Sequence, residues 1–205
     1  LSRWTPTDFQ GDAASLAQDL LGATLVHVLE DGSRLSGTIV ETEAYLGIMD
    51  RAAHSFGGRR SPRNESMYAK AGTSYVYLIY GIHHCFNVVC GAQDEPAAVL
   101  IRALQPSAGR EQMFARRPAA RRDTDLCSGP GKLCQALGID RAHNGEDLAT
   151  SERLFIEAAP GGAGEGPAVV NAARVGVDYA QEWAQRPLRW YLADSPHVSV
   201  RGGWH

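Results

Sequence analysis

Glu41 and Glu43 stand two residues apart in the run Ile39-Val40-Glu41-Thr42-Glu43-Ala44-Tyr45. In an extended chain that spacing puts both carboxylates on one face, together with Ile39 and Tyr45. A buried, unpartnered carboxylate costs several kcal/mol, so this face is poor core material and is expected to line a cleft. Farther on come His54, an arginine-rich segment, and the tyrosine-rich run Thr73-Ser74-Tyr75-Val76-Tyr77-Leu78-Ile79-Tyr80-Gly81. Carboxylate, imidazole and aromatic rings together suit acid–base chemistry on a flat heterocycle, with water as the activated reagent.

The elements that must position these groups follow from local signals. Asp31-Gly32 lies between Ala23–Leu29 and Arg34–Leu46 and predicts a hairpin whose second arm carries Glu43. Asp12 as N-cap and Gly22 as terminator predict a short helix ahead of it. Residues Gly47 to Gly72 are rich in Gly, Pro, Ser, Asn and Arg and predict a long loop, either functional or disordered, with His54 near its start. Tyr75 and Tyr77 fall on one side of the next strand, Val76 and Leu78 on the other. Gly81 directly after Tyr80 predicts a turn that projects this tyrosine outward, either as a plain surface residue or as a wedge between stacked bases.

Cys85–Cys90 and Ala97–Ala103 read as two further strands. Arg102 interrupts the second, and because a guanidinium cannot lose its proton it needs a carboxylate or an anionic ligand if it points inward. A basic helix is expected over Gly109–Arg117 and an exposed loop over Pro118–Asp125. Cys127-Ser-Gly-Pro-Gly-Lys132 then opens an apolar helix that ends at Gly138. Free N–H groups at such a start, with Lys132, can hold a phosphate, although the spacing is not that of a Walker motif. Leu154–Ala158, Val169–Val177 and Leu188–Leu192 add short segments, with Gly161–Gly166 as a flexible connector. No repeat, regular βαβ alternation or heptad occurs, so a mixed α/β (α+β) fold on an antiparallel sheet is expected.

Composition sets the outer bounds. With 205 residues, 44% of them hydrophobic and 21% charged, the chain reads as one globular domain over residues 1–205. It has no apolar run long enough for a membrane span and no signal-peptide pattern. A net charge of −3 weighs against a nucleic-acid partner, yet arginines cluster at Arg51, Arg59, Arg60 and Arg63 and again at Arg110, Arg116, Arg117, Arg121 and Arg122. On charge alone these are either solvated loops or phosphate contacts. Cys85, Cys90, Cys127 and Cys134 lack zinc-knuckle spacing even beside His83 and His84, and are expected to be buried thiols.

Six blocks then carry a resemblance. They are Gly37-Thr-Ile-Val-Glu-Thr-Glu-Ala-Tyr-Leu-Gly47, Arg51-Ala-Ala-His-Ser55, Gly57-Gly-Arg-Arg-Ser-Pro-Arg-Asn64, Tyr75-Val-Tyr-Leu-Ile-Tyr-Gly81, Leu126-Cys-Ser-Gly-Pro-Gly-Lys-Leu-Cys-Gln-Ala-Leu137 and Ala173-Arg-Val-Gly-Val177. In this order, and spread over nearly the whole chain, they resemble the alkyladenine (3-methyladenine) DNA glycosylases. The resemblance implies a single compact domain with a curved antiparallel sheet, surrounding helices and a protruding hairpin that inserts into DNA. The implied activity is that of a monofunctional glycosylase of base excision repair. It would flip 3-methyladenine, 7-methylguanine, hypoxanthine or ethenoadenine out of duplex DNA and leave an abasic site.

The same resemblance implies roles. Glu43 is the general base toward water, Arg102 helps hold that water, and the Val175 carbonyl completes the water site. Tyr45, His54 and Tyr77 enclose the flipped base, Asn87 rejects the guanine amino group, and Tyr80 fills the vacated stack. Arg59, Arg60, Arg63 and Lys132 face the DNA backbone, and Glu41 plays a supporting part. Neither lysine of the chain, Lys70 or Lys132, falls in the Glu43 constellation, so no Schiff-base lyase step is expected. The implied partner is damaged double-stranded DNA, bound by a monomer without cofactor, metal or membrane. The implied location is the bacterial cytoplasm, or the nucleus if the source is a eukaryote.

Ile82 stands where the family commonly has methionine, Glu65 where a basic residue is frequent, and Ile48-Met49 where Pro-Glu is usual. A non-catalytic binder of damaged DNA is the alternative, but it would not need Glu43 together with Arg102. An RNA N-glycosidase is a further rival, which would have to admit a 2′-hydroxyl at the flipped nucleotide. A zinc deaminase is not supported, since His-x-Glu followed by Pro-Cys-x-x-Cys does not occur.

Overall fold

The computed structural model describes residues 1–159 and 167–202, so the Gly161–Gly166 connector lies outside the described residues. Asp12 accepts hydrogen bonds from the Ala14 and Ser15 amides and caps helix α1 (Ala13–Asp19). The helix stops before Gly22: Leu20 is its C-cap, and Gly22, at φ +85°, sits in the turn after it. Strands β1 (Thr24–Val28) and β2 (Arg34–Tyr45) form the expected hairpin. Asp31-Gly32 lies inside a longer connection than a two-residue turn, closed by Leu29 N–H to the Ser33 carbonyl.

β2 is the spine of an eight-stranded antiparallel sheet. β5 (Ala97–Pro106) runs along one of its edges from Gly37 to Tyr45. The other edge is shared, β1 pairing with its first half and β8 (Arg189–Leu192) with Glu41–Glu43. Outward from β5 come β4 (His83–Cys90) and β3 (Ser74–Ile79). Beyond β1 lies β6 (Leu154–Glu157), while β7 (Val169–Ala172) pairs with β8. Splitting one edge of β2 between two partners curves the sheet around the Glu43 segment.

The β2–β5 ladder contains two opposed bulges. Ile39 faces Leu104 and Glu41 faces Ala103, which leaves Val40 as the extra residue on β2. Glu41 faces Ala103 and Thr42 faces Ile101, which leaves Arg102 as the extra residue on β5. A bulge re-aims its own side chains and reverses the facing of the residues beyond it. This corrects the simple alternation: Ile39 does not share a face with Glu41 and Glu43. Ile39 packs in the core with Leu16 and Ala17 of α1 and with its C-cap residue Leu20. After the bulge, Thr42 and Ala44 point that way instead, the Thr42 hydroxyl donating to the Ala17 carbonyl. Glu41 and Glu43 turn to the opposite face.

Helix α2 (Arg110–Arg116) matches the expected basic helix. The stretch after it is not all loop, because a short α3 (Asp123–Leu126) forms where the Asp125 carboxylate folds back onto the Arg121 and Arg122 amides. Helix α4 (Pro130–Leu137) ends at Gly138 in the left-handed conformation. Segment 47–72 holds three short 3-10 turns and is stapled by Asn64, which bonds the Ser61 amide and the His54 and Arg59 carbonyls. All four cysteines are buried free thiols. Burial pushes the Cys90 and Cys127 thiols up to about 12, so they behave as apolar filling. Among the described residues no helix is long and apolar enough to cross a membrane.

Candidate active site

Glu43 is fully buried and, among the described residues, is met by two hydrogen-bond donors and one cation. The Tyr45 hydroxyl donates to its Oε2 at 2.9 Å. The Val175 main-chain N–H donates to Oε1 at 2.7 Å, and Arg102 Nη1 lies 3.2 Å from the same oxygen. The contact from Val175 is therefore through its amide nitrogen. Arg102 reaches this position because it is a bulge residue, turned off the β5 ladder between the two carboxylates. Burial works against its charge, but Glu43 and then Glu41 outweigh this and raise its pKa, so it stays a cation. Tyr45 is pushed well above the usual tyrosine range by burial and then by the Glu43 charge, so its hydroxyl remains a donor at every working pH.

Around these groups lies an aromatic cavity of about 190 Å³, walled by Tyr45, His54, Tyr75, Tyr77, Asn87 and Val175. Tyr75 and Tyr77 share the side of β3 that faces it, as strand alternation requires, while Val76 goes to the main core. His54 stands edge-on to Tyr77, with ring centres 4.6 Å apart, and its Nδ1 is 2.8 Å from the Tyr75 hydroxyl. Burial, helped by Arg63 and Arg59, lowers its pKa, which favours the neutral imidazole. The Asn87 amide nitrogen donates to the Tyr75 carbonyl at 2.9 Å, which fixes its orientation at the cavity wall. Glu43 does not line the cavity but lies just behind Tyr45, Arg102 and Val175, each of which touches it.

Tyr80 sits at the tip of the β3–β4 hairpin beside this opening and is 85% exposed. Tyr80 at φ +53° and Gly81 at φ +72° occupy the two central positions of a turn closed by Ile82 N–H to the Ile79 carbonyl. Both left-handed values match the hairpin turn that follows strand twist most closely. Ile82 beside it is 72% exposed.

The arginines divide into two groups. Arg60 is held by Glu65 at 2.6 Å and Asp94 at 2.7 Å, so the acidic departure at Glu65 consumes one cation of the loop. Arg59 is exposed, and Arg63 donates to the Leu78 carbonyl with its guanidinium over the Tyr77 ring. Among the described residues no carboxylate pairs with either. The second basic cluster is partly self-neutralised through Arg110–Asp123 and Arg122–Asp125. Lys132 is exposed on α4, which begins at Pro130 on the cavity rim. A larger groove of about 690 Å³ lies elsewhere, beside a Lys70–Asp147 pair, without the convergence of carboxylate, guanidinium and aromatic groups.

Several groups at the site escape the sequence reading. Tyr75 supplies the hydroxyl at His54. Tyr179, 68% exposed, stands at the rim with its hydroxyl donating to the Ala52 carbonyl. Asp50 and Arg174 pair beneath Tyr45, and Arg189 and Ser199 reach Glu41. Arg189 carries the same local signal as Arg102, a guanidinium inside an apolar strand.

The sequence profile of the methylpurine-DNA glycosylase family matches residues 7–196. The mouse protein named DNA-3-methyladenine glycosylase is 48% identical over 206 residues, covering 97% of this chain and 61% of its own length. Its human namesake is 50% identical over 200 residues, covering 94% and 66%. A protein of Desulfitobacterium hafniense is 47% identical over 200 residues, covering 94% of this chain and 96% of its own. The chain thus spans somewhat under two thirds of the mouse and human proteins and nearly all of the bacterial one.

Proposed function

The chain belongs to the methylpurine-DNA glycosylase family, and from that premise we propose that it is a monofunctional DNA glycosylase of alkylated and deaminated purines. The observation that carries this reading is the set of two hydrogen-bond donors and one guanidinium around Glu43. A carboxylate offers about four acceptor positions. The Val175 N–H fills one on Oε1, where the Arg102 guanidinium also lies at 3.2 Å as an ion pair, and the Tyr45 hydroxyl fills one on Oε2. The open position on Oε2 accepts the proton of a water that attacks the anomeric carbon as the bond from that carbon to the base breaks. The same negative charge steadies the sugar as it gains oxocarbenium character, and Arg102 holds the water. Glu43 is covered by Tyr45, Arg102 and Val175, so an arriving nucleotide must part these groups to admit that water.

The flipped base stacks among Tyr45, His54 and Tyr77, where each base–aromatic contact contributes about 1–3 kcal/mol. Asn87, its amide fixed by Tyr75, selects against guanine by meeting the exocyclic amino group, which 3-methyladenine, hypoxanthine and ethenoadenine do not present there. Tyr80 takes the vacated place in the stack. Arg59, Arg63 and Lys132 meet backbone phosphates, with Arg60 contributing less because of Glu65. Lys70 and Lys132 contact none of the cavity-lining residues that touch Glu43, which favours hydrolysis without a lyase step.

Base release from duplexes carrying one hypoxanthine or one ethenoadenine tests this directly. The wild type is expected to release base, and Glu43→Gln to bind the lesion duplex without releasing it. Release by Glu43→Gln at the wild-type rate would remove the mechanism. Lesion binding by both proteins with release by neither would establish the non-catalytic binder instead.

A further inference from the structure

Two buried ions beside the site have no part in the chemistry above. Arg189 is 1% exposed and Glu41 is 0% exposed. Every nitrogen of the Arg189 guanidinium is engaged. Nε donates to the Ala173 carbonyl at 2.7 Å, Nη1 to Glu41 Oε1 at 2.9 Å and to the Val200 carbonyl at 2.8 Å, and Nη2 to the Gly202 carbonyl at 2.7 Å. Glu41 accepts in addition from Arg102 Nε at 3.3 Å and from the Ser199 amide at 2.7 Å. Ser199 Oγ then accepts from Arg102 Nη2 at 3.3 Å.

We propose that Arg189, acting through Glu41, is a positioning residue for the water-activating site. Through Glu41 it fixes the guanidinium of Arg102 against Glu43. Through the Ala173 carbonyl it fixes the main chain two residues before the Val175 amide that reaches Glu43 from the other side. The Ser199–Gly202 segment is clasped into the same network and closes it. This inference rests on the glycosylase reading and extends it to residues that touch neither base nor water.

The charge count explains why a guanidinium is needed at position 189. Glu41 and Glu43 bring two negative charges, and Arg102 and Arg189 bring two positive ones. The groups facing Glu41 are Arg102 from β5, Arg189 with Tyr191 beneath it from β8, and Ser199 from the closing segment, with Glu43 of β2 on the far side of the shared Arg102. Arg102 is shared almost evenly, 3.3 Å from Glu41 and 3.2 Å from Glu43. Without Arg189, Glu41 competes for the whole of Arg102, and the buried cluster keeps one uncompensated negative charge. Such a cluster takes up a proton more readily, at the cost of the base form that activates water.

The test is single-turnover release of hypoxanthine from duplex DNA across about pH 5 to 9, with lesion binding and thermal unfolding of each protein. Arg189→Met is expected to move the acid limb up by about one pH unit, which is about a tenfold loss of rate on that limb, with lesion binding kept. Glu41→Gln/Arg189→Met removes one charge of each sign. It is expected to return the limb to its wild-type position with a plateau lowered about tenfold, because Arg102 is less firmly held. An Arg189→Met limb that superimposes on the wild type while the melting temperature falls would make Arg189 merely structural and overturn the proposal. If Arg189→Met does not fold, the charge-balanced double variant decides: a lowered plateau supports the proposal and a wild-type rate overturns it. Absence of release by the wild type itself would instead overturn the glycosylase reading.

Discussion

Arg174 and Asp50 meet in a two-pronged ion pair, at 2.6 and 2.9 Å, with both side chains fully buried. Asp50 also accepts from the Leu46 and Ala52 amides, while Arg174 donates to the Ala44 carbonyl and lies 4.8 Å from the centre of the Tyr45 ring. One pair thus joins the end of β2, the loop carrying His54 and the segment carrying Val175. Burial disfavours the Arg174 charge, and Asp50 outweighs it and raises the pKa. Asp50→Asn leaves that charge without its counter-ion and is expected to cost about 3–5 kcal/mol of stability. A urea titration checks this: a lower midpoint with an unchanged slope is the expected outcome, and an unchanged midpoint would show that the pair holds nothing together.

Tyr45→Phe keeps the ring and removes one donor from Glu43. A hydrogen bond to a charged group contributes about 1.5–3 kcal/mol, so base release is expected to fall by about tenfold or more with lesion binding retained. Because the hydroxyl stays protonated far above neutral pH, the ratio of wild-type to variant rates should be flat above the acid limb, from about pH 8 to 9. A ratio that changes across this range would mean that Tyr45 acts by transferring a proton rather than by donating a hydrogen bond.

At the hairpin tip, strain and exposure meet in one residue. Tyr80 holds a left-handed backbone that costs a non-glycine residue about 1–2 kcal/mol, and its side chain packs little against the protein. Tyr80→Gly is therefore expected to leave stability unchanged or raise it by about 1 kcal/mol. Binding of a lesion duplex should weaken in the same variant. Loss of stability by calorimetry would mean that Tyr80 supports the fold rather than being held out for a partner.

Acid should loosen the protein through its buried imidazoles. Burial lowers the pKa of His27, whose Nδ1 donates to the Leu137 carbonyl at 2.7 Å and whose ring lies against His143, and burial lowers His54 as well. In the unfolded chain each returns to about 6.5 and binds a proton that the folded chain refuses. The unfolded state therefore gains protons as pH falls below about 6.5, and stability present above that pH is lost on the way down to the folded values. Melting temperatures at about pH 7.5 and 5.5 should differ, and His27→Asn, whose amide can still reach Leu137, should shrink the difference. An equal difference in the variant would assign the acid loss to other groups.

The hairpins, the helix starts and the side of β3 that carries Tyr75 and Tyr77 can be read from the sequence because each depends on neighbours: Asp31-Gly32, Asp12, Gly81, Gly138. The facing of Ile39 cannot. Val40 is a β-branched apolar residue like Ile39 before it, and nothing in the pattern marks it as the residue without a partner on β5. Arg102 can be read as an ion needing a partner, but not as a bulge. Arg189 meets Glu41 across 148 positions of sequence, and Arg174 meets Asp50 across 124, distances that no local pattern spans. Tyr179 has no signal beyond being an exposed tyrosine after the Ala173–Val177 block.

The two bulges of the β2–β5 ladder cancel. Before Val40 and after Arg102 the strands pair in the same register, Ile39 with Leu104 on one side and Thr42 with Ile101 on the other. The arrangement of Glu41, Glu43 and Arg102 is therefore an excursion of one residue on each strand, inserted into an otherwise regular ribbon. Lengthening or shortening either strand alone at this point would shift the frame of everything beyond it. Removing Val40 and Arg102 together would mend the ribbon and undo the arrangement around Glu43, a two-residue edit that turns the candidate site back into plain sheet.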